Sequence, residues 1–407
     1  MINNDNTLNI ILELYRGKEY CKLQKIFTSL CLTNFDKKVF TNKKNLNRTI
    51  TNLLASWMFT LYSYYDFNDD PFFPKNCNYF KNLKETLYDY TSLYNIKNKN
   101  DKINNIINSL ELEYNKIYQN IEIYRETVFY KNIKNKYNIT KKIIKQIRNN
   151  KIVYFYKFIL KVNFYITEIK LKNIINNIII PVDKYKQMKK NYIGNNLDEH
   201  IWILLYRYQL LGSNNNQLGI LPHVIIKMEK EFNLNIECFA SAINTSTEHF
   251  YSIYYDIEKY FGSNGSFFNS NIKKGCYSFN PPYQKDIITN GIYKLFDFLN
   301  NTDQNLCFFI TIPIWDNEGK QIMKDNNTEN NNNKINYNDM DIIKKVKESD
   351  FFYGFRMISK NNFTYIDHNF HLFKNKTIQN TYIIILSNFE NNYIDIINKI
   401  DFYSWDY

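Results

Sequence analysis

The sequence predicts two parts: an all-helical region over residues 1–195, followed by a doubly wound α/β sheet over residues 196–407. Three observations carry this reading. Glycine is nearly absent from the first part, with Gly17 the only one before Gly194, and apolar residues recur there at helical spacing. From Leu197 onward short apolar runs alternate with amphipathic stretches, the pattern of strands separated by helices. A chain of 407 residues that is 44% hydrophobic holds enough apolar side chain for two cores.

The elements follow in order. In the first part helical periodicity runs over residues 8–15, 53–65, 103–124 and 143–171, broken by Asn-, Lys- and Asp-rich joints. In the second part the strand-like runs are residues 235–239, 277–279, 306–314, 351–357 and 381–386. The amphipathic stretches between them, 224–232, 247–260 and 284–299, predict helices. Residues 317–338 are low-complexity and Asn-rich, and read as a loop beside the active face.

Composition narrows the function classes. Ten glycines and seven prolines make about 4% of the chain, against roughly 12% in average usage; the surplus Asn, Ile, Lys and Tyr fits an A+T-rich coding sequence. Part of the net charge of +12 shares that origin. A basic chain with 17% aromatic residues also suits RNA, since it pairs attraction for phosphate with surfaces for base stacking. The six cysteines contain no C-x-x-C pair, and with five scattered histidines they offer no zinc-ligand spacing, so no metal is expected. No basic-then-apolar leader opens the sequence and no run approaches 18 apolar residues. The expectation is an intracellular protein with no membrane partner.

Asn280-Pro281-Pro282-Tyr283 is the most informative stretch. It closes the apolar run at 276–280 and precedes an amphipathic segment, giving strand, rigid polar tetrapeptide, helix. An exocyclic amine on a planar ring is a weak nucleophile because its lone pair is delocalised. The Asn280 side-chain carbonyl and the Pro281 backbone carbonyl can accept both amine hydrogens and push the nitrogen towards sp³, while Tyr283 stacks on the ring. This chemistry needs positioned dipoles rather than a base of shifted pKa. The same tetrapeptide also reads as a plain Pro-Pro turn.

Upstream, a pocket for S-adenosyl-L-methionine can be read in chain order. The run 235–239 ends in small residues, Ala240-Ser241-Ala242, then Asn244 and a Ser/Thr cluster. Such a loop lets backbone N–H groups approach a ligand closely. Gln217 and Pro222 precede it and resemble the Gln…Pro segment before the cofactor loop of many adenine N-methyltransferases, which implies a role in holding the methionine end. Glu237 reads as a strand-end carboxylate for the cofactor's ammonium, or as a loop acid.

Four blocks in this order resemble one family: residues 237–244 (Glu-Cys-Phe-Ala-Ser-Ala-Ile-Asn), 260–267 (Tyr-Phe-Gly-Ser-Asn-Gly-Ser-Phe), 279–283 (Phe-Asn-Pro-Pro-Tyr) and 380–388 (Asn-Thr-Tyr-Ile-Ile-Ile-Leu-Ser-Asn). The family is that of the phosphorylated CTD-interacting factor methyltransferases, the cap-specific adenosine N6-methyltransferases. Arg207-Tyr208, Gln217 to Pro222 and the strand end at 310–315 also fit, so the resemblance covers about residues 197–388. Ala242 stands where the family has Pro and Tyr283 where it has Phe. The resemblance implies a Rossmann-like, S-adenosylmethionine-dependent methyltransferase domain after the helical region. It also implies N6 methylation of the 2′-O-methylated adenosine beside an mRNA cap, and a nuclear protein, with the cytoplasm as the alternative. No WW domain is visible before the core, so phospho-CTD binding is not expected.

The remaining candidates take their roles from that resemblance. Phe239, Ala240, Ser241 and Asn244 belong to the cofactor loop. Asp256 would meet the ribose hydroxyls, and Gly262, Ser263 and Phe267 the adenosine, Phe267 by stacking. By position and charge rather than by the resemblance, Trp315 at the end of the 306–314 run would line a base or cap pocket, and Lys273 and Lys274 would face phosphates. Each also has a bland reading, as a helix-end acid, turn, core ring or solvated lysine. His368 and His371 read as structural. Lys141-Lys142 and Lys189-Lys190 would suit a shelf for RNA phosphates. Two other functions stay open: an N6-adenine methyltransferase on DNA or internal RNA, and a catalytically silent RNA-binding scaffold.

Overall fold

The computed structural model describes residues 9–40, 46–64, 69–75, 80–92, 94–130, 137–148, 151–162, 169–212, 217–314, 340–368, 374–377 and 379–403. In chain order the elements begin with α1 Ile10–Asn34, α2 Lys37–Phe40, α3 Leu46–Tyr64, α4 Phe80–Thr91 and α5 Lys99–Tyr130. Then come β1 Tyr137–Arg148, β2 Lys151–Val162, α6 Ile169–Asn176, β3 Ile179–Pro181, α7 Val182–Asn191 and α8 Leu197–Leu211. Next are β4 Leu218–Ile220, α9 Pro222–Phe232, β5 Leu234–Glu237, β6 His249–Phe250, α10 Tyr255–Glu258, β7 Gly275–Phe279 and α11 Lys285–Asn300. The last are β8 Leu306–Pro313, α12 Asp341–Lys347, β9 Phe352–Ile358, β10 Tyr365–Asp367, β11 Lys374–Lys376, β12 Thr381–Ser387 and α13 Tyr393–Asn398. The chain is thus a mixed α/β protein that divides into two compact units, Met1–Asn214 with Tyr254–Tyr260, and Asn215–Ile253 with Phe261–Tyr407.

The first unit is built on long helices. The Asn9 side chain accepts the Ile11 N–H at 2.8 Å and caps α1, and Gly212, in the left-handed region at φ 66°, ends α8. Its core is unusually aromatic and ionic. Tyr254, on the segment that returns to this unit, packs its ring 5.3 Å from Tyr62 and 5.1 Å from Tyr208. Arg207, fully buried, pairs with both Glu13 and Asp256.

Two expectations need correction here. Residues 143–171 were expected to be helical, but β1 and β2 form an antiparallel pair running from Tyr137↔Val162 to Arg148↔Lys151, with β3 added against Phe155–Lys157. Residues 152–160 (Ile-Val-Tyr-Phe-Tyr-Lys-Phe-Ile-Leu) are mostly β-branched or aromatic. Such side chains lose χ1 freedom in a helix and pack well on a pleated surface. The region before residue 196 is therefore not all-helical. The compact units also part at Asn214 rather than at 195, because the buried residues of α8 belong to the first unit.

The second unit contains a six-stranded sheet in the order β6-β5-β7-β8-β12-β9. The first four strands are parallel, and β12 runs antiparallel to both β8 and β9. All eight residues of β8 and all seven of β12 are buried, the signature of strands covered on both faces. One core gathers residues of α11 and α12 on the sheet, the other those of α9 and α13. Gly291 on α11 is required by this packing, since a Cβ there would lie 2.5 Å from the Phe279 ring. A second, three-stranded sheet has the order β11-β10-β4.

The expected strands at 235–239, 277–279, 306–314, 351–357 and 381–386 match β5, β7, β8, β9 and β12, and α9 and α11 match their helices. The helix expected over 247–260 does not form. Thr245, Ser246 and Thr247 turn back to the Glu237 carboxylate, and the Tyr251 N–H donates to the Glu237 carbonyl at 2.9 Å. That pairing holds His249–Phe250 extended beside β5, and only α10 with the 3-10 turn that follows it at Lys259–Phe261 remains helical.

Candidate active site

The site lies at the carboxyl ends of the parallel strands, where open α/β sheets bind ligands. Glu237 ends β5 and pairs in register with Ser278 on β7, two residues before Asn280. Asn280 leaves the sheet directly after Phe279. Its Oδ1 is buried and has no hydrogen-bond partner among the described residues. A buried acceptor left unmatched costs about 1–3 kcal/mol, so it calls for an explanation in function. Pro281 is buried and Pro282 half-buried, and the Pro282 carbonyl accepts the Gln284 N–H at 2.7 Å, turning the chain into α11.

Tyr283 is half-buried. Its hydroxyl meets that of Tyr365 on β10, with the two rings 6.0 Å apart and inclined at 74°. The Tyr365 hydroxyl also lies 3.4 Å from Thr381 Oγ1. Burial pushes the Tyr365 phenol up to about 12, and burial with the neighbouring Tyr365 raises Tyr283 well above its ordinary value. Both phenols therefore stay neutral and serve as hydrogen-bonding groups. Tyr365 and Thr381 were not singled out in the sequence, which carries no local signal that β10 folds against the tetrapeptide.

The loop after β5 is tightly organised. The Ser241 N–H donates to Asn244 Oδ1 at 2.7 Å, and Ser241 Oγ donates to Gln217 Oε1 at 2.8 Å. The Gln217 carbonyl accepts the His368 N–H at 3.0 Å, so the structure brings Gln217, Ser241 and Asn244 together and adds His368. Glu237 Oε1 accepts from Thr245 Oγ1 at 2.9 Å and from the Ser246 N–H at 2.7 Å. Ala240 donates its N–H to the Tyr251 carbonyl at 2.9 Å. Pro222 occupies the first turn of α9.

Gly262 has φ 102°, and a Cβ there would fall 2.2 Å from the Glu248 carbonyl oxygen, so only glycine fits. Ser263 forms a bridge with Phe250, and its Oγ lies 2.7 Å from that of Ser252. Phe239 is half-buried and packs on Phe267 and Phe279.

Four other candidates have different surroundings. Phe267 is only 2% exposed, ringed by Phe239, Tyr251, Phe268, Phe279 and Phe298. Asp256 belongs to the first unit, where both its oxygens lie 2.8 Å from Arg207. Lys273 and Lys274 are exposed but precede β7, so the strand separates them from Asn280 by roughly 17 Å. Trp315, His371 and residues 317–338 lie outside the described residues.

Two comparisons with known proteins bear on this site. The family model described as Phosphorylated CTD interacting factor 1 WW domain matches residues 182–350. Two curated relatives, from Mus musculus and Homo sapiens, are each 30% identical over 121 residues, and each is named mRNA (2'-O-methyladenosine-N(6)-)-methyltransferase. The aligned stretch covers 28% of this chain and 17% of each relative, so the chain spans less than a fifth of the length of the relatives it matches.

The family match overturns the expectation that no WW domain is present, and with it the ground for excluding a phospho-CTD partner. That expectation considered only residues before the α/β core, whereas the match begins at residue 182 and continues through β8. Both comparisons support the resemblance read from the sequence at the level of the family.

Proposed function

We propose that this chain is a Rossmann-like methyltransferase that transfers a methyl group from S-adenosyl-L-methionine to N6 of an adenosine in RNA. The proposed target is the 2′-O-methylated adenosine beside an mRNA cap. The observation that carries the reading is the buried, unmatched Oδ1 of Asn280 at the end of a parallel strand. An exocyclic amine supplies the missing donor. Asn280 Oδ1 and the Pro281 carbonyl accept the two N–H groups, the nitrogen lone pair localises, and the Tyr283 ring supports the base.

The cofactor, when bound, supplies an electrophilic methyl group. The residues present fit it: Glu237 offers a carboxylate at the end of β5, and Ala240 and Ser241 allow close backbone approach beside the half-buried Phe239. Glu237 and Gln217 would hold its amino-acid end. Asn280 and Tyr283 would orient the amine for in-line attack, and no residue need act as a base, since the proton shed by the nitrogen can pass to water, with S-adenosylhomocysteine as the departing product.

Purified protein with labelled S-adenosylmethionine tests the reading on capped and uncapped RNAs that begin with A or G. Label is expected in the capped A-initiated RNA alone. Equal labelling of uncapped RNA or DNA would overturn the cap-adjacent target, and cofactor binding without labelling of any substrate would overturn methyl transfer.

Tyr283 gives a finer test. Tyr283→Phe keeps the ring and removes the hydroxyl that meets Tyr365, so turnover should stay close to wild type. Tyr283→Ala removes a stack worth roughly 1–3 kcal/mol, which is about 5- to 150-fold in kcat/KM. A Phe variant as inactive as the Ala variant would show that the hydroxyl, not the ring, carries the function.

A further inference from the structure

Residues 137–162, which form β1 and β2, carry seven Lys or Arg and no Asp or Glu. Side chains alternate between the two faces of a strand pair, and the register decides which cations share a face. Lys142 lies opposite Lys157, on one face with Arg148 and Lys161. Lys141, on the other face, is already neutralised: its ammonium lies 2.7 Å from both oxygens of Asp198 and 2.5 Å from the Tyr185 hydroxyl. The sequence-based pairing of Lys141 with Lys142 as a phosphate shelf therefore divides, and only Lys142 is available.

Like charges placed directly opposite each other destabilise a strand pair. Lys142 opposite Lys157 costs the hairpin stability, and a polyanion laid along that face removes the cost. We infer that this face of the β1–β2 hairpin is an arm that binds the phosphate backbone of single-stranded RNA. The inference rests on RNA as the substrate class proposed above and assigns the surface that grips it. The opposite face exposes Ile143, Ile147, Ile152 and Tyr154, each more than half accessible. A lipid bilayer would engage that face and leave Lys142, Lys157 and Lys161 on the side away from it. RNA instead uses these lysines directly, which is why it is the favoured partner.

The test is fluorescence anisotropy of the full chain with a short labelled polyuridine, without cofactor, across a salt series. Changing Lys142→Gln and Lys157→Gln together should weaken binding roughly tenfold at low salt. It should also make the slope of log affinity against log salt shallower by about 1.4, the value for two lost single-strand phosphate contacts. The Lys142→Arg, Lys157→Arg pair should bind like wild type, which separates lost charge from a damaged hairpin. Equal affinity and slope for the Gln pair would overturn the arm. So would a Gln pair that binds RNA normally beside an Ile147→Ser, Ile152→Ser pair that loses flotation with phosphatidylserine vesicles. Because the assay involves no methyl transfer, its failure leaves the proposed reaction standing. A wild type that binds polyuridine with the expected slope yet labels no RNA would sink the reaction alone.

Discussion

Asn280→Ala is expected to lower the rate of methyl transfer by at least about 10²-fold while leaving S-adenosylmethionine affinity unchanged. Removing one preorganised hydrogen-bonding group from a site of developing charge costs on this scale. The Oδ1 acceptor is buried and makes no hydrogen bond among the described residues, so its loss breaks none of the hydrogen bonds described. The variant should in fact be no less stable, because it deletes an unmatched buried acceptor. Single-turnover kinetics with calorimetric cofactor binding and a thermal melt would check all three parts. A folded Asn280→Ala protein that turns over normally would remove the catalytic assignment.

Arg207→Met should cost the first unit about 3–5 kcal/mol of stability, the usual penalty for stranding buried charges. The guanidinium is fully buried and spans two acids. Its Nε and Nη2 donate to Glu13 at 3.0 and 2.6 Å, while Nη1 and Nη2 donate to Asp256 at 2.8 Å. Arg16 joins the cluster through Glu13 and Asp70, at 2.5 and 2.6 Å. It can hold Glu13 after the substitution but makes no contact with Asp256. Arg207→Lys keeps the charge without the fork that serves both acids, and should fall between wild type and Met. Denaturant unfolding reads the effect, and a loss below about 1 kcal/mol would show that the cluster is not under electrostatic load.

The same cluster sets a pH dependence. Burial alone would raise the Glu13 carboxyl, but Arg207 and Arg16 outweigh it and hold it below its ordinary value of 4.5. A carboxyl lowered in the folded state contributes stability that is present above its unfolded value and is lost as pH falls through the folded one. Stability should therefore decline on acidification below about pH 4.5, and Glu13→Gln should flatten that part of the curve.

Much of the second unit was legible locally. Strands β5, β7, β8, β9 and β12 announce themselves as short apolar runs, and α9 and α11 as amphipathic stretches with Pro222 and the Pro281-Pro282 pair at their starts. The tetrapeptide was legible for the same reason, since a strand end, two prolines and a helix start are all local chemistry. Residues 247–260 misled because their amphipathic spacing is real, yet Glu237, ten residues upstream, captures the Thr245–Thr247 turn and leads the chain alongside β5. The hairpin misled because a run apolar on nearly every residue satisfies a period of 2 as well as one of 3.6.

By itself, then, the sequence determined where the candidate site residues stand along the chain: Glu237 at one strand end, Asn280 to Tyr283 at another, and the small-residue loop at 240–242. Only the tertiary structure decided what those groups meet. It placed β12 antiparallel between β8 and β9, drew Tyr365 onto Tyr283, buried Phe267 among five rings and gave Asp256 to Arg207. Each of these is a contact between residues far apart in the chain. Its free energy depends on which distant surface is buried or which distant charge is neutralised, and no local period or turn preference encodes that.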